Sequence, residues 1–519
     1  TNPRNGWVFI SSTAKAQGTD RTLVSVNTID TNNAAIVHSK ETDNTLEAMQ
    51  YLPQGRHKVY VHCEESARLS RLTVRAIPEM MVAGLGYTMG GGWPLVAGQH
   101  VPILPCFGHY NMAYLDRIGL LDSINVLIER NPVSENAAHV KKWREQGKKL
   151  IVRHGMWPTF QLKEPTVDSI FKLWTEYRGF AGEGYDGLIL DEFSGFGHGG
   201  VGRYPLYTQV VKKIAQDPAF KGRVVYPYCM PMYHCDLAMG MLKNVVDTGN
   251  KWAEEKYLVE QPTEESARFY MDTRLRQNVL HYERTFPGAA RHMITTLGFF
   301  SAPPLTLNSE PGVDYKVYLD MQMHLLANDP VLFGLYGIHW YHNGYADEEY
   351  LRWSAKLLRH YGIEGRKERL TEDPYILPHI KNPDFDEGNS EWTLQPAEAG
   401  AIFTEHAAGY GTLQTRVAGG DKKPGDNFLV TRRVAKAPNR FSQQIRQLTP
   451  GRTYSVKMFT ADYGDLKKGK SDNQPDYINI KIDGVDLILE KEFHQRFPTS
   501  LAGSVFGPFN RENKFHLTY

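Results

Sequence analysis

Residues 184–193 have the sequence GYDGLILDEF, in which a short apolar run ends in two adjacent carboxylates, Asp191 and Glu192. A brief apolar run is typical of a buried parallel strand, and α/β folds collect their functional groups at the carboxyl ends of such strands. Two acids at that point are costly to desolvate unless they have partners or chemistry to perform. The stretch therefore predicts a catalytic acid on a barrel strand. The alternative is a strand-end Asp that caps the next helix or pairs with an Arg.

Seven more apolar runs occur between residues 81 and 365, and helix-like stretches alternate with them. This alternation indicates repeated βα units. Eight such units in about 285 residues match a (β/α)8 barrel (TIM barrel) in count and in length. The predicted strands are 81–87, 124–129, 149–154, 187–192, 223–228, 245–247, 293–298 and 331–337. The predicted helices include 136–147, 166–177, 207–215, 264–283, 314–328 and a last one that ends at 361.

Two β-rich regions flank the predicted barrel. Residues 1–80 contain short strand-like runs separated by polar turns, which favours an immunoglobulin-like β-sandwich. Residues 366–379 are polar, contain Pro374 and Pro378, and are predicted to be a linker. From 380 to 519 a second β-sandwich is expected, since turn signals again precede alternating strands.

The composition narrows the range of partners. Lys plus Arg (59) balances Asp plus Glu (58), so no basic surplus exists to neutralise the phosphates of a nucleic acid. No run approaches the roughly 20 apolar residues of a membrane-spanning helix. Aromatic residues make up 12% of the chain and suit sugar rings, which pack on flat apolar faces. The four cysteines form no C-x-x-C pair; Cys229 and Cys235 either bridge or remain free thiols.

The segment that opens the last region resembles a known type of module. Asn-Pro-Asp-Phe-Asp-Glu-Gly at 382–388, followed by Trp392, is similar to the opening of jelly-roll carbohydrate-binding modules. The Pro-Gly-x-x-Tyr turn at 450–454 matches the same modules. The resemblance covers about the last quarter of the chain and implies a jelly-roll β-sandwich. Asp384, Asp386 and Glu387 offer hard oxygen ligands there for a structural calcium ion.

The whole plan, a small β domain, a barrel and a jelly roll, resembles secreted bacterial multidomain glycoside hydrolases. The resemblance implies polysaccharide degradation outside the cytoplasm, in a secreted or periplasmic location, with no cofactor needed for catalysis. In the largest glycosidase clan the acid follows strand four and the nucleophile is a Glu on strand seven. Residues 293–300 hold no carboxylate, and 186–192 do not reproduce the D-x-x-D-x-D-x-E run of chitinase-like barrels. No particular family is therefore assigned.

Glycoside cleavage normally needs two carboxyl groups that flank the scissile bond. We predict Glu192 as the general acid, with Asp191 beside it adjusting its pKa through like charge. For the second carboxylate we favour Glu255, because aromatic residues flank it in the sequence. Glu254 is the close alternative, since strand alternation points only one of these two neighbours into the barrel.

Rings and imidazoles near the predicted strand ends are candidates for binding the substrate. Aromatic faces stack on sugar C–H groups, and His side chains hydrogen-bond hydroxyls. The candidates are His154, Trp157, Trp252, Trp340, Tyr341 and His342.

Two other functions remain open from the sequence. His and carboxylate ligands from several strand ends can hold a divalent ion, which would give a metal-dependent barrel hydrolase or isomerase. Its ligands would be His154, Asp191, Glu192, His234 and Glu255, although no H-x-H or H-E-x-x-H spacing supports them. A non-catalytic carbohydrate-binding protein is the other alternative, because predicted strand seven carries no acid.

Overall fold

The computed structural model describes most of the chain. Its residues are 1–15, 18–39, 44–85, 95–96, 99–100, 111–129, 137–194, 201–233, 235–301, 306–341, 346, 348–407, 426–458, 460, 462–468, 478–488, 496–497 and 517–518.

Eight parallel strands close into a barrel, which confirms the predicted TIM-barrel core. We number them β1 to β8 in chain order. They are β1 Glu79–Leu85, β2 Val126–Glu129, β3 Lys149–Gly155, β4 Gly187–Asp191, β5 Val224–Cys229, β6 Trp252–Lys256, β7 Met293–Gly298 and β8 Gly337–Tyr341. Each strand pairs with the next, and β8 pairs with β1 from Gly337 opposite Glu79 onward, which closes the ring.

Helices surround the barrel. The α-helices are Met112–Arg117, Ala137–Glu145, Trp157–Phe160, Val167–Thr175, Arg178–Ala181, Tyr204–Gln216, Asp236–Asp247, Glu264–Met271, Gln277–Thr285, Tyr315–Asn328 and Glu348–Leu357. Two π-helical turns, Asp272–Arg276 and Leu358–Ile363, extend the series. Because apolar side chains of the strands fill both the interior and the space under the helices, one large buried cluster spans the barrel. None of the described helices is long and apolar enough to cross a membrane.

Two of the eight predicted strands were wrong. Residues 245–247 form the last turn of helix Asp236–Asp247, whose buried Ala238, Met241, Leu242 and Val245 follow helical spacing. The sixth strand is Trp252–Lys256 instead. Because three of its five residues are charged, its sequence is more typical of a loop than of a buried strand. The eighth strand begins only at Gly337, where the predicted segment 331–337 ends.

The amino-terminal region contains two three-stranded antiparallel sheets. One joins Gly6–Lys15, Asn44–Leu52 and Arg68–Ile77, and the other joins Thr22–Val26, Ile36–His38 and Val59–Cys63. Val8, Ile10, Val24, Ile36 and Ala48 form a small apolar core with contributions from both sheets. An additional antiparallel β region at this end is therefore confirmed, while its immunoglobulin-like topology stays a prediction.

The carboxy-terminal region is also antiparallel where it is described. Its strands are Thr393–Gln395, Ile402–His406, Asn427–Thr431, Arg440–Ser442, Arg496–Phe497 and Leu517–Thr518, and Tyr463–Lys468 is helical. The 382–392 segment folds back on itself, because the Trp392 indole donates to the Asn382 carbonyl at 2.9 Å and packs 5.2 Å from the Phe385 ring. The jelly-roll topology remains a prediction. Cys229 and Cys235 are free thiols.

The amino-terminal sheets contact the end of the barrel where the strands begin. The Trp7 indole donates to the Glu79 carboxylate at 2.9 Å, and the Tyr336 hydroxyl donates to the same group at 3.3 Å. Trp7 and Glu79 are each 1% exposed. A carboxylate buried this deeply depends on its donors, so this contact ties the two regions together.

Replacing Trp7 by Phe should destabilise the protein by about 1–3 kcal/mol, because a buried acceptor on Glu79 loses its donor. Trp143→Phe is the matched control, since this indole is also 1% exposed but donates to a neutral carbonyl, that of Lys149, at 3.0 Å. Urea unfolding of both variants measures the difference, and we expect the larger loss for Trp7→Phe. Equal losses would show that the Glu79 carboxylate adds nothing to the contact.

Candidate active site

Strand alternation separates the two neighbouring glutamates of β6. Glu255 pairs in register with Thr296, whose hydroxyl hydrogen-bonds Nδ1 of His339 at 3.2 Å inside the barrel. Glu254 is fully buried on the opposite face, where it accepts from Lys256 Nζ at 2.8 Å and from Asn278 Nδ2 at 2.8 Å. Glu255 is therefore the member of the pair that faces the barrel interior.

Asp191, the last residue of β4, is held by its neighbour on β3. It is 4% exposed and forms an ion pair with the Arg153 guanidinium. Its carbonyl accepts from the amide of Met156, the residue directly after β3, at 3.0 Å, so the same neighbour also holds the Asp191 backbone. A strand-end Asp paired with an Arg is the alternative that the sequence had left open, so Asp191 needs no catalytic role to account for its burial.

Glu192 has an unusual backbone conformation. Its φ is +57°, in the left-handed region that favours glycine, and its side chain is exposed at the barrel mouth. The next residue, Phe193, is 1% exposed and its amide donates to the Tyr228 carbonyl at 2.8 Å. Strain of this kind persists where the surroundings impose it, and it concentrates at functional sites. The conformation lets Asp191 and Phe193 stay buried while Glu192 points outward.

The three carboxylates interact, and Glu255 has a strongly perturbed pKa. Burial raises the pKa of Glu255 to about 7, and the negative charges of Asp191 and Glu192 add to the effect. A hydrogen bond from Tyr228 and the charge of Arg153 oppose it only partly. Near neutral pH this carboxyl group is therefore protonated in about half of the molecules. A glutamate that keeps its proton at pH 7 can act as an acid.

Aromatic rings near the carboxylates come from β5 and β8 and from the residues that follow β6 and β7. The Tyr228 and Tyr257 hydroxyls are hydrogen-bonded to each other, and the Tyr341 ring is stacked on Tyr257 with centroids 5.6 Å apart. Phe300 lies 5.0 Å from Tyr257. Burial lowers the pKa of His339 to about 3, so this imidazole is neutral at the base of the site. Of these residues, the sequence had proposed only Tyr341 for substrate binding.

Three sequence candidates lie away from this cluster. The His154 ring lies 4.3 Å from Tyr177, and burial lowers the pKa of His154 to about 4. Trp252 and Trp340 are fully buried and pack against Tyr282 and Phe299, so their faces cannot reach a sugar.

The physical reason is the same for all three residues. Strand alternation turns them toward the helix layer instead of the interior. Their expected role in substrate binding is therefore not supported by where they lie.

Trp157 has a different environment. It begins the short helix after β3 and is 58% exposed. Because the preceding Met156 is hydrogen-bonded to the Asp191 carbonyl, Trp157 lies close to the end of β4. Together with Tyr341 it remains a candidate for contact with substrate. His342 lies outside the described residues, as does His234 of the metal-site alternative.

No group of three or more His, Cys, Asp and Glu side chains is placed to hold a metal ion in the part of the chain that the structure describes. In the carboxy-terminal region, Asp386 accepts from Asn427 Nδ2 at 2.6 Å. The calcium ion expected there stays a prediction.

Comparisons with known proteins find similarity of fold alone. No family model matches the sequence, and no curated protein matches it. An endo-β-N-acetylglucosaminidase from Cordyceps militaris is 11% identical, with a TM-score of 0.35, over 54% of this chain and 90% of that one. A family 39 glycoside hydrolase from Bacteroides cellulosilyticus WH2 is 9% identical, with a TM-score of 0.33, over 76% and 83%.

A GH2 β-galacturonidase from Eisenbergiella tayi is 9% identical, with a TM-score of 0.36, over 72% of this chain and 69% of that one. The structural neighbours are thus glycoside hydrolases, the class that the sequence resembles, and no specific family is assigned. At this level of similarity no residue role is transferred from them.

The conformation of Glu192 can be tested by stability alone. An L-residue in the left-handed region costs about 1–2 kcal/mol relative to glycine, so Glu192→Gly should be more stable than Glu192→Ala by about 1 kcal/mol. At Glu255, inside a strand, the order should reverse by about 0.5–1 kcal/mol. Denaturant unfolding of the four variants measures both differences. A Glu192→Gly protein less stable than Glu192→Ala would mean that the positive φ is absent in solution.

Proposed function

We propose that the protein is a glycoside hydrolase that cleaves a glycosidic bond in an oligo- or polysaccharide at the mouth of its barrel. One observation carries the proposal. Glu192, directly after β4, and Glu255 on β6 act on each other electrostatically; Glu192 is exposed, whereas Glu255 is half-buried and has a raised pKa. Glycoside cleavage uses such an unequal pair of carboxyl groups, one protonated and one ionised.

The raised pKa of Glu255 favours this residue as the proton donor, which reverses the assignment from sequence. Burial and the charges of Asp191 and Glu192 keep its proton on near neutral pH. Glu192 then supplies the ionised carboxylate. Asp191 is better described as a positioning residue, because it is paired with Arg153 and its charge raises the pKa of Glu255. The sequence could not distinguish the two glutamates, since burial decides which one holds the proton.

In this mechanism Glu255 transfers its proton to the glycosidic oxygen as the bond to the anomeric carbon breaks. Glu192 either attacks that carbon or removes a proton from an attacking water. After direct attack, Glu255 accepts a proton from the water that releases the sugar; after water attack, the proton returns through solvent. The anomeric configuration of the first product distinguishes the two routes. Trp157 and Tyr341 are proposed to contact the sugar rings.

Leaving-group dependence tests the two roles. Glu255→Gln should lower turnover of polysaccharides about 10²–10⁴-fold, because a poor leaving group needs the acid. Turnover of aryl glycosides with acidic leaving groups should fall much less, since such leaving groups depart with little help from protonation. Glu192→Gln should lose activity on both substrate types. Reducing-end release from a panel of polysaccharides and release of the aryl group measure this, and the reverse pattern would return the acid role to Glu192.

The pH dependence gives a second, independent check of the acid role. The acid must be protonated, so kcat/KM of the wild type should fall as pH rises through about 7, the pKa of Glu255. This basic limb should vanish in Glu255→Gln. A rate that falls instead as pH drops through 7 would make Glu255 the ionised partner. No turnover on any glycoside would refute the glycoside hydrolase, and sugar affinity and an added-metal assay would then separate the binding protein from the metal-dependent enzyme.

The flanking regions extend the proposal. We propose that residues 1–80 form an immunoglobulin-like sandwich and that residues 380–519 form a jelly roll that binds the same polysaccharide, in a protein that acts outside the cytoplasm. The paired antiparallel strands at both ends and the Trp392–Asn382 contact support the β folds of this proposal. Retention of the Trp392→Ala variant on insoluble polysaccharide, compared with wild type, tests the role in binding.

A further inference from the structure

The segment that follows the last helical turn of the barrel is anchored on a buried carboxylate. Asp320, in the helix after β7, is fully buried, so its charge depends on donors within the protein. It accepts from the Tyr361 hydroxyl at 2.6 Å and from Arg369 Nε at 2.8 Å. The backbone amides of residues 370–371 also donate to it, at 3.2 and 3.3 Å. Four donors therefore hold this carboxylate, and three of them come from the segment itself.

Farther along, the same segment pairs with the loop that joins β7 to its helix. Two backbone hydrogen bonds of 2.9 Å join residues 375–377 to residues 312–314, which are antiparallel neighbours. We call residues 369–377 the brace. The brace is therefore held at one end by Asp320 and at the other end by this short backbone pairing.

The paired loop in turn holds the chain after β6 and the chain after β7. Leu307, in this loop, has a carbonyl that accepts from the Glu260 amide at 3.1 Å and an amide that donates to the Phe300 carbonyl at 3.0 Å. The Glu310 amide adds a hydrogen bond of 2.9 Å to the Glu260 carboxylate. The loop is thus bonded to the brace on one side and to both of these segments on the other.

Tyr375 connects the brace directly to the chain after β6. It is 4% exposed, and its hydroxyl donates to the Gln261 carbonyl. The Tyr318 hydroxyl donates to the Val259 carbonyl at 2.7 Å. Because these two carbonyls belong to the residues on either side of Glu260, the backbone there is fixed by donors from the brace, the loop and the helix after β7.

The segments that the loop and the brace hold carry rings of the site. Tyr257 follows β6, Phe300 follows β7 and Tyr341 ends β8; we call these three residues the aromatic wall. Phe300 is 1% exposed, and its ring centroid lies 5.0 Å from that of Tyr257 and 5.6 Å from that of Tyr341. It therefore supports two rings that are themselves only half-buried. A binding site keeps its geometry when such supporting contacts are fixed.

We propose that the brace keeps the aromatic wall in place, which makes Asp320 and Tyr375 positioning residues for substrate binding. The inference deepens the proposed function and rests on it, since Tyr341 of the wall is proposed to contact the sugar. Asp320 acts through the brace and the loop, and Tyr375 acts through the backbone after β6. Neither residue belongs to the wall itself.

The buried anchors, rather than the surface contacts, hold the brace. Arg452 of the carboxy-terminal region also pairs with Asp373 of the brace, but these side chains are 42% and 32% exposed. Exposed ion pairs contribute little free energy. A buried carboxylate that loses its charge, or a buried carbonyl that loses its donor, changes the free energy of the segment far more. The tests are therefore aimed at Asp320 and Tyr375.

Hydrogen exchange of the full chain, read by mass spectrometry, tests the mechanical link. Asp320→Asn removes the charge to which the brace donates, so the amides of Asp314 and Glu260 should exchange about 10–100-fold faster. Asp186→Asn is the matched control. Asp186 also pairs with an arginine and accepts from a backbone amide, but it lies directly before β4, where the strands begin. The control should leave the exchange of these two amides unchanged.

Tyr375→Phe is the milder test, because it removes one hydroxyl and keeps the ring. The amides of residues 258–261 should exchange about 2–10-fold faster, as expected for the loss of one neutral hydrogen bond. Tyr336→Phe is its control, since this tyrosine is 2% exposed and its hydroxyl donates to Glu79 at the other end of the barrel. The control should not change the exchange of 258–261.

Kinetics on a polysaccharide then separate positioning from mere stability. A loosened wall binds the sugar less well, so Tyr375→Phe should raise KM about 2–10-fold, the same loss of one hydrogen bond. Its kcat and the pH at which activity falls should stay those of the wild type, because the carboxylates are untouched. Tyr336→Phe should leave KM unchanged as well. If Asp320→Asn does not fold, Tyr375→Phe decides alone.

The exchange and kinetic readouts fail separately. Unchanged exchange in both variants, or a rise no larger than in their controls, would overturn the inference. Faster exchange with an unchanged KM in an active enzyme would also overturn the positioning role, since the brace would then serve stability alone. A protein that turns over no glycoside would refute the proposed hydrolase, while faster exchange in it would still confirm the link between the brace and the chain that carries the aromatic wall.

Discussion

The two-residue alternation of a closed parallel barrel is the constraint on which the site depends. On β6 it sends Glu255 into the interior and turns Glu254 and Lys256 outward, where they form a buried ion pair with N···O of 2.8 Å. A charge in that outer layer is tolerated because it is paired and hydrogen-bonded by Asn278. The inward glutamate has no such cation of its own. The consecutive charged residues Glu254, Glu255 and Lys256 therefore lie in two different environments, the helix layer and the barrel interior.

Arg153 lies near Glu255 but does not act as its counterion. Its guanidinium is paired with Asp191, and the positive charge that reaches Glu255 is largely offset by the carboxylate it holds. Burial and the two nearby negative charges then dominate, and the pKa of Glu255 rises. The Arg153–Asp191 pair thus contributes to the site in two ways: it places a fixed negative charge at the end of β4, and it leaves Glu255 without a dedicated counterion.

Much of the fold, and part of the site, could be predicted from the sequence. The apolar runs identify six of the eight strands because buried parallel strands are apolar on both faces. β6 was not predicted because three of its five residues are charged, and its place in the ring shows that it is a strand. Asp191, Glu192 and Glu255 were all proposed as site residues because they are acids near strand ends. In the structure the charges of Asp191 and Glu192 act on Glu255.

The sequence could not show which side chains of each strand point into the barrel. His154 follows the inward Arg153, and Trp340 precedes the inward Tyr341, so both candidates were one position from the site. A shift of one residue reverses the side on which a side chain lies, and nothing local in the sequence fixes that register. The same limit applies to roles: the sequence shows two glutamates, but only burial and neighbouring charge show which one retains a proton.

Glu79 and Glu255 lie near opposite ends of the barrel, and their surroundings differ in a way that bears on the proposed function. Glu79, where the strands begin, accepts from Trp7 and Tyr336, and it joins the amino-terminal sheets to the barrel. Glu255, where the strands end, lies near Asp191 and Glu192, whose negative charges raise its pKa. A buried carboxylate that accepts hydrogen bonds from two elements joins them, whereas negative charges close to a carboxyl group raise its pKa. The same residue type therefore ties the fold together at one end of the barrel and, in the function proposed above, performs chemistry at the other, and the difference lies in the partners that the strands bring to it.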